Sequence, residues 1–175
     1  DWLTRERPTA IGECGLDGAI ELPLARQLPW FERQIQLADE CNLPLIVHCR
    51  RCYNEVLALL SRHRPRAGGV LHGFSGSRQQ AQQFWELGFF LGIGGTITYE
   101  RAQKTRRAVA ALPLEALLLE TDGPSMPLAG YQGERNEPAR LIEVLQQLAA
   151  LRQQPVEALT AGLEANVERL FFAAP

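Results

Sequence analysis

The run Gly69-Val70-Leu71-His72-Gly73-Phe74 is short and apolar until it meets a histidine and a glycine. It lacks the polar–apolar alternation of a strand with one wet face, and reads as a β-strand covered on both sides. Four runs of the same kind lie around it, at residues 9–14, 45–49, 89–94 and 117–121. Helical patterns separate them. Trp30, Ile35, Leu37, Ala38 and Cys41 mark one helix, stopped by Asn42 and Pro44. Val56, Leu57, Leu59 and Leu60 mark a second helix, closed by Arg62, His63, Arg64 and Pro65. Ser77 reads as the N-cap of a third, running through Leu87 and ended by Gly88. Residues 106–112 form a fourth, halted by Pro113, and a Gly/Pro-rich loop runs from Asp122 to about Glu137. Two helices close the chain, over 138–152 and from Pro155, where proline suits a first helical turn. Strand and helix in regular alternation predict an α/β fold, with a parallel sheet built from repeated βαβ units in one domain over residues 1–175.

Composition agrees with a packed domain. The 175 residues are 46% hydrophobic and 22% charged, which excludes a disordered or fibrous chain. The formal charge of −2 lacks the strongly basic footprint of a charge-driven DNA binder, while leaving room for a local nucleic-acid site. No stretch reaches the roughly 18 unbroken apolar residues of a membrane helix. No basic-then-apolar leader is present, so the expectation is a cytoplasmic protein without a membrane or an obligate protein partner. Cys14, Cys41, Cys49 and Cys52 are then expected to be reduced, buried thiols, with no disulfide between Cys49 and Cys52.

The polar residues at the strand ends carry the chemistry. Glu13 ends the first run, His48 the second, His72 lies in the third, and Asp122 follows the fifth. Their spacings of 35, 24 and 50 residues correspond to one, one and two βα units. In parallel βα folds the C-terminal ends of all strands open on one face, so these side chains can converge. Two imidazoles and two carboxylates suit a divalent ion such as zinc or manganese, and the carboxylates also suit magnesium. Each residue has an ordinary alternative. A histidine at a strand end is commonly a hydrogen-bonded structural residue, Glu13 could cap a helix, and Asp122 could start its loop by binding backbone amides. Their joint occurrence favours a site. His63, among arginines after a helix, reads as surface. Alternation adds that if Glu13 and His48 point inward, Cys14 and Cys49 point outward under the helices.

Gly12-Glu13-Cys14-Gly15-Leu16-Asp17, Pro44-Leu45-Ile46-Val47-His48, His72-Gly73-Phe74-Ser75-Gly76-Ser77, Glu120-Thr121-Asp122-Gly123-Pro124 and Arg135-Asn136-Glu137-Pro138 together resemble the signatures of the TatD family of metal-dependent deoxyribonucleases. The stretches Gly94-Gly95-Thr96-Ile97-Thr98-Tyr99 and Met126-Pro127-Leu128 look most like one branch of it. The resemblance implies a TIM (β/α)8 barrel of the metal-dependent hydrolase type with a two-metal phosphodiesterase site. It implies that Glu13 bridges two divalent ions (Mg, Mn or Zn), that His48 and His72 complete the second, and that Asp122 holds the first and accepts a proton. The substrate implied is DNA or an oligonucleotide.

Two features depart from the family pattern. Cys14 stands where Ile, Thr or Val is more usual, and the His-x-His that supplies two first-metal ligands is absent from these residues. A barrel of this class takes about 250 residues, so the five runs correspond to strands four to eight, with about three N-terminal βα units outside the sequence. Arg50, Arg51 and Arg135 follow strand ends and could meet phosphates, or be ordinary solvated arginines. Asn136 could anchor its loop or the substrate, and Asp17 could orient a ligand. Two alternatives stay open: hydrolysis of an amide, lactone or other ester on the same fold, and an inactive fragment or interaction module.

Overall fold

Five strands, β1 (Ile11–Asp17), β2 (Leu45–Arg50), β3 (Gly69–Leu71), β4 (Phe89–Ile93) and β5 (Leu117–Leu119), pair in parallel in the order of the sequence. The computed structural model describes residues 2–6 and 8–172. A doubly wound sheet reverses its strand order at a switch point. The order here never reverses, as in the wall of a β/α barrel.

The helices are α1 (Trp2–Glu6), α2 (Leu24–Cys41), α3 (Tyr53–His63), α4 (Arg78–Glu86), α5 (Gln103–Ala111), α6 (Leu141–Arg152) and α7 (Val156–Val167). Leu45, Val47, Leu71, Leu91 and Leu117 share one core with Phe31 and Ile35 of α2, Val56 and Leu60 of α3, Phe84 of α4, Val109 of α5, Val144 of α6 and Leu159 of α7. The opposite parity forms a second, inner row. Val70, Phe90 and Leu118 pack there with Ile46, and with Leu170 and Phe171 from a closing π-helical turn at Glu168–Phe172. Both faces of the sheet are therefore covered, which is why the strands carry no alternating pattern.

The expected strands and helices are present, with shifted starts. Ser77 caps α4 as expected, accepting the Gln80 amide at 3.2 Å while the Gln80 side chain accepts the Ser77 amide at 2.9 Å, a reciprocal capping box. α2 begins before Trp30 and runs through Pro29, a residue that ordinarily breaks a helix. Gln27 ties this first part to the sheet. Its amide oxygen accepts the Asp17 amide at 2.8 Å, and its nitrogen donates to Asp17 and Leu22 carbonyls at 2.9 and 2.7 Å. α3 and α5 each start with a polar turn that hydrophobic periodicity passes over. Pro155 sits just before α7 rather than inside its first turn, and Pro138–Arg140 is a 3-10 turn leading into α6. No helix among the described residues is long and apolar enough to cross a membrane.

The cysteine expectation needs correction at two positions. Cys14 and Cys52 are buried, but Cys49 is only partly so, and Cys41, on the last turn of α2, is exposed. All four are free thiols, with Cys49 and Cys52 Sγ atoms 3.9 Å apart. Burial, reinforced by the Glu13 charge, pushes the Cys14 thiol up to about 12. Burial also raises Cys49 and Cys52. Since the thiolate is the nucleophile, iodoacetamide is expected to label native protein at Cys41 first, with Cys14 protected until unfolding. Peptide mapping that finds Cys14 labelled as fast as Cys41 would contradict this packing.

Candidate metal centre

Two residues beyond the inner row Ile46, Val70, Phe90 and Leu118 stand His48, His72, Gly92 and Glu120. Alternation keeps these positions on the inner face, now at the C-terminal mouth of the sheet. Glu13 joins them from β1, whose pairing register with β2 shifts between Ile11 and Cys14. Such irregularities re-aim side chains beside functional sites. The Glu13 Oε1 atom lies 2.9 Å from His48 Nδ1 and 2.7 Å from His72 Nε2, and the two imidazole nitrogens are 3.1 Å apart.

This donor set fits a divalent cation. Ligands about 2.0–2.2 Å from one ion sit about 3 Å from their neighbours, close to all three observed separations. Glu13, His48 and His72 form a group able to hold an ion, with ligand atoms within 4.8 Å of one another. The expected trio thus comes together.

Outer contacts orient both rings. His48 Nε2 lies 3.2 Å from Asp17 Oδ2, which leaves Nδ1 facing Glu13. Desolvation acts against it, but the Ala19 amide and then the His48 imidazole hold the Asp17 carboxyl below its usual value. Asp17 thereby stays a charged acceptor, the arrangement that fixes a ligand's tautomer. On the other ring, His72 Nδ1 faces Glu120 Oε1 at 3.9 Å. Glu120 also accepts the Gly73 amide at 2.6 Å, so it holds the turn that carries His72. Burial is the main cause raising the Glu120 carboxyl, opposed by the Gly73 amide and His72 and reinforced by Asp122 and Glu13.

Sequence reasoning passed over Glu120 in favour of Asp122. The signal was parity with Leu118, usable only once the inner face is known. Gly92 makes room for Glu120. A Cβ there would lie 2.5 Å from Glu120 Oε2 and 3.0 Å from the His72 Cα, with backbone on one side. Gly92→Ala is expected to cost about 1–3 kcal/mol through overpacking and to weaken metal binding. An alanine variant with unchanged denaturation midpoint and metal affinity would show that the centre does not depend on this close approach.

The remaining expected residues lie apart from the trio. Asp122 is half-buried at the end of the β5 segment, with φ of 56° and its carbonyl accepting the Ser125 amide at 2.9 Å. It is outside the ligand group found among the described residues, although its charge acts on Glu120. Arg50 is exposed, 3.9 Å from Asp17 Oδ2, and Arg135 is exposed. Asn136 is buried, its amide donating to Thr121 and Met126 carbonyls at 2.6 and 3.1 Å. That geometry is a loop anchor. His63 lies elsewhere, 2.8 Å from Glu32 on the outer helices.

A family model described as TatD related DNase matches residues 1–172. An uncharacterized metal-dependent hydrolase of Haemophilus influenzae is 47% identical over 168 residues, covering 93% of this chain and 64% of the relative. The crystal structure of the TatD homologue YjjV from Escherichia coli superposes with a TM-score of 0.91 at 45% identity, covering 94% of this chain and 64% of that one. The 3'-5' ssDNA/RNA exonuclease TatD of Citrobacter rodentium is 38% identical over 170 residues, covering 93% of this chain and 64% of its own length. The chain spans a little under two thirds of these relatives, and its α/β architecture is that of the TatD-type barrel. With its mouth carrying metal-competent side chains, the chain belongs to the TatD-related DNase family.

Proposed function

We propose that the intact protein is a metal-dependent phosphodiesterase that removes nucleotides from DNA or oligonucleotide ends, using two divalent ions (Mg, Mn or Zn). The convergence of Glu13, His48 and His72 on one point at the strand ends carries this reading. A relative named as an exonuclease for single-stranded DNA and RNA supports the substrate class. Glu13 would hold both ions and His48 and His72 the second. Asp122 would hold the first, together with a His-x-His segment belonging to the longer protein, since the relatives extend well beyond the matched region. At the length of those relatives the protein would have about three βα units more than the five described here.

Bound divalent ions supply Lewis-acid stabilisation of charge at the phosphoryl oxygens and acidify water. The chain's own residues do the rest. Asp17 keeps His48 turned toward the centre, and Glu120 holds the His72 turn through the Gly73 amide. Asp122, at the mouth, accepts the proton of the attacking water. Arg50, exposed at the end of β2, and Arg135, exposed in the loop after β5, can meet substrate phosphates. Asn136 keeps the loop bearing Asp122 in place through the Thr121 carbonyl.

The test is release of labelled nucleotides from single-stranded DNA by the full-length protein with manganese or magnesium, before and after a chelator. Panels of amides and lactones run in parallel. DNA degradation that stops on chelation is expected, while turnover of an amide or lactone with inert DNA would replace this reading. The 175-residue chain alone is expected to bind one ion and to cleave negligibly, because the first ion lacks most of its ligands.

A further inference from the structure

Between the segments that follow β4 and β5 lies a cavity of about 280 Å³ lined by Thr96, Tyr99, Arg101, Ala102, Met126 and Pro127. We propose that it is a nucleobase-stacking subsite, which takes the base of the nucleotide whose phosphate lies at the metal centre. This proposal rests on the phosphodiesterase reading above and names the part of the substrate that a second site holds.

The cavity is tied to the metal centre by close packing. His72 faces Glu120, and a Cβ at Gly94 would lie 3.4 Å from Glu120 Oε1. A Cβ at the next residue, Gly95, would lie 3.0 Å from the Met126 carbonyl oxygen. Two consecutive glycines thus let the β4 exit press between Glu120 on one side and the wall of the cavity on the other. A nucleotide carries its base several ångströms from its phosphate, as occupying two neighbouring sites requires.

The lining has the chemistry of a base platform. Tyr99 is held by its hydroxyl, which donates to the Pro127 carbonyl at 2.7 Å, so the ring is fixed as a wall. The Arg101 guanidinium lies over that ring, 4.7 Å from its centroid, and makes a flat cationic surface. Planar bases stack on aromatic rings and guanidinium planes whatever their sequence. Met126, the chain's one methionine, also lines the cavity and is 49% exposed. An unbranched, polarizable thioether adapts to bases of different size. The cavity, about 280 Å³, has room for a single purine or pyrimidine.

The test uses short single-stranded phosphorothioate DNA carrying terminal 2-aminopurine, and the same oligonucleotide with an abasic end, titrated into the manganese-loaded protein. Stacking is expected to quench 2-aminopurine fluorescence, and the abasic end is expected to weaken binding about 10-fold or more. Tyr99→Leu and Arg101→Ala should each reduce quenching, and Tyr99→Phe should keep more of it than Tyr99→Leu, because the ring makes the platform and the hydroxyl only holds it in place. Metal affinity is measured in each variant and is expected to stay at the wild-type value, which separates loss of the subsite from damage to the centre. If both oligonucleotides bind equally well and quenching survives Tyr99→Leu, the subsite is overturned while the phosphodiesterase reading stands. If neither binds, both are overturned.

Discussion

His72→Ala is expected to weaken manganese or zinc binding by at least about 100-fold, measured by calorimetric titration of the metal-free protein. His72 offers Nε2 at 2.7 Å from Glu13 and 3.1 Å from His48, so its removal takes away one of three converging ligand atoms. Effects of 10–100-fold are typical for losing an outer partner of a ligand, and a ligand itself counts for more. The folded state should survive, because His72 sits beyond the end of β3 and the packing of Val70 and Leu71 is untouched. A second readout follows from linkage. Saturating metal should raise the thermal midpoint of the wild type and leave that of His72→Ala nearly unchanged. His63→Ala is the control, since His63 pairs with Glu32 on the outer helices. Equal metal affinity in wild type and His72→Ala would remove the centre from this place in the fold.

The strands were legible in sequence because burial on both faces leaves continuous apolar runs, and Leu71, Leu91 and Val70 are buried as those runs require. Helix starts were less legible. The first turns of α3 and α5 are polar and contribute little to periodicity, and Pro29 hides the first turns of α2. Tertiary bonds from Gln27 decide that last case. In the site, Glu13, His48 and His72 could be picked out because each ends an apolar run with a metal-competent side chain. Their partners could not be read with the same ease. Asp17 could be read as orienting a ligand but not which one, since it is 31 residues from His48, and Glu120, 47 residues from Gly73, is joined to it only by the folded sheet. Cys41 illustrates the opposite failure. Its place in a helical apolar pattern suggested burial, but it falls on the last turn of α2, next to the left-handed Asn42 cap, where the helix meets solvent.

Asp122→Asn, made in the protein at the full length of its relatives, is expected to lower kcat for DNA by about 10²–10⁴-fold, the range for loss of a general acid–base group. An amide neither accepts the proton of an attacking water nor supplies charge to a cation, so both tasks assigned to Asp122 are lost together. The backbone gives this substitution its value as a test. Asp122 sits at a φ of 56°, a conformation that asparagine adopts as readily as aspartate. Its carbonyl still accepts the Ser125 amide, and Asn136 still ties the loop to Thr121. The thermal midpoint should therefore stay close to that of the wild type while turnover collapses. Binding of the ion held by Glu13, His48 and His72 should also persist, because Asp122 lies outside that group. Retention of more than about a tenth of wild-type kcat would show that the proton leaves by another route, and Glu120, the half-buried carboxyl beside His72, would then be the group to test.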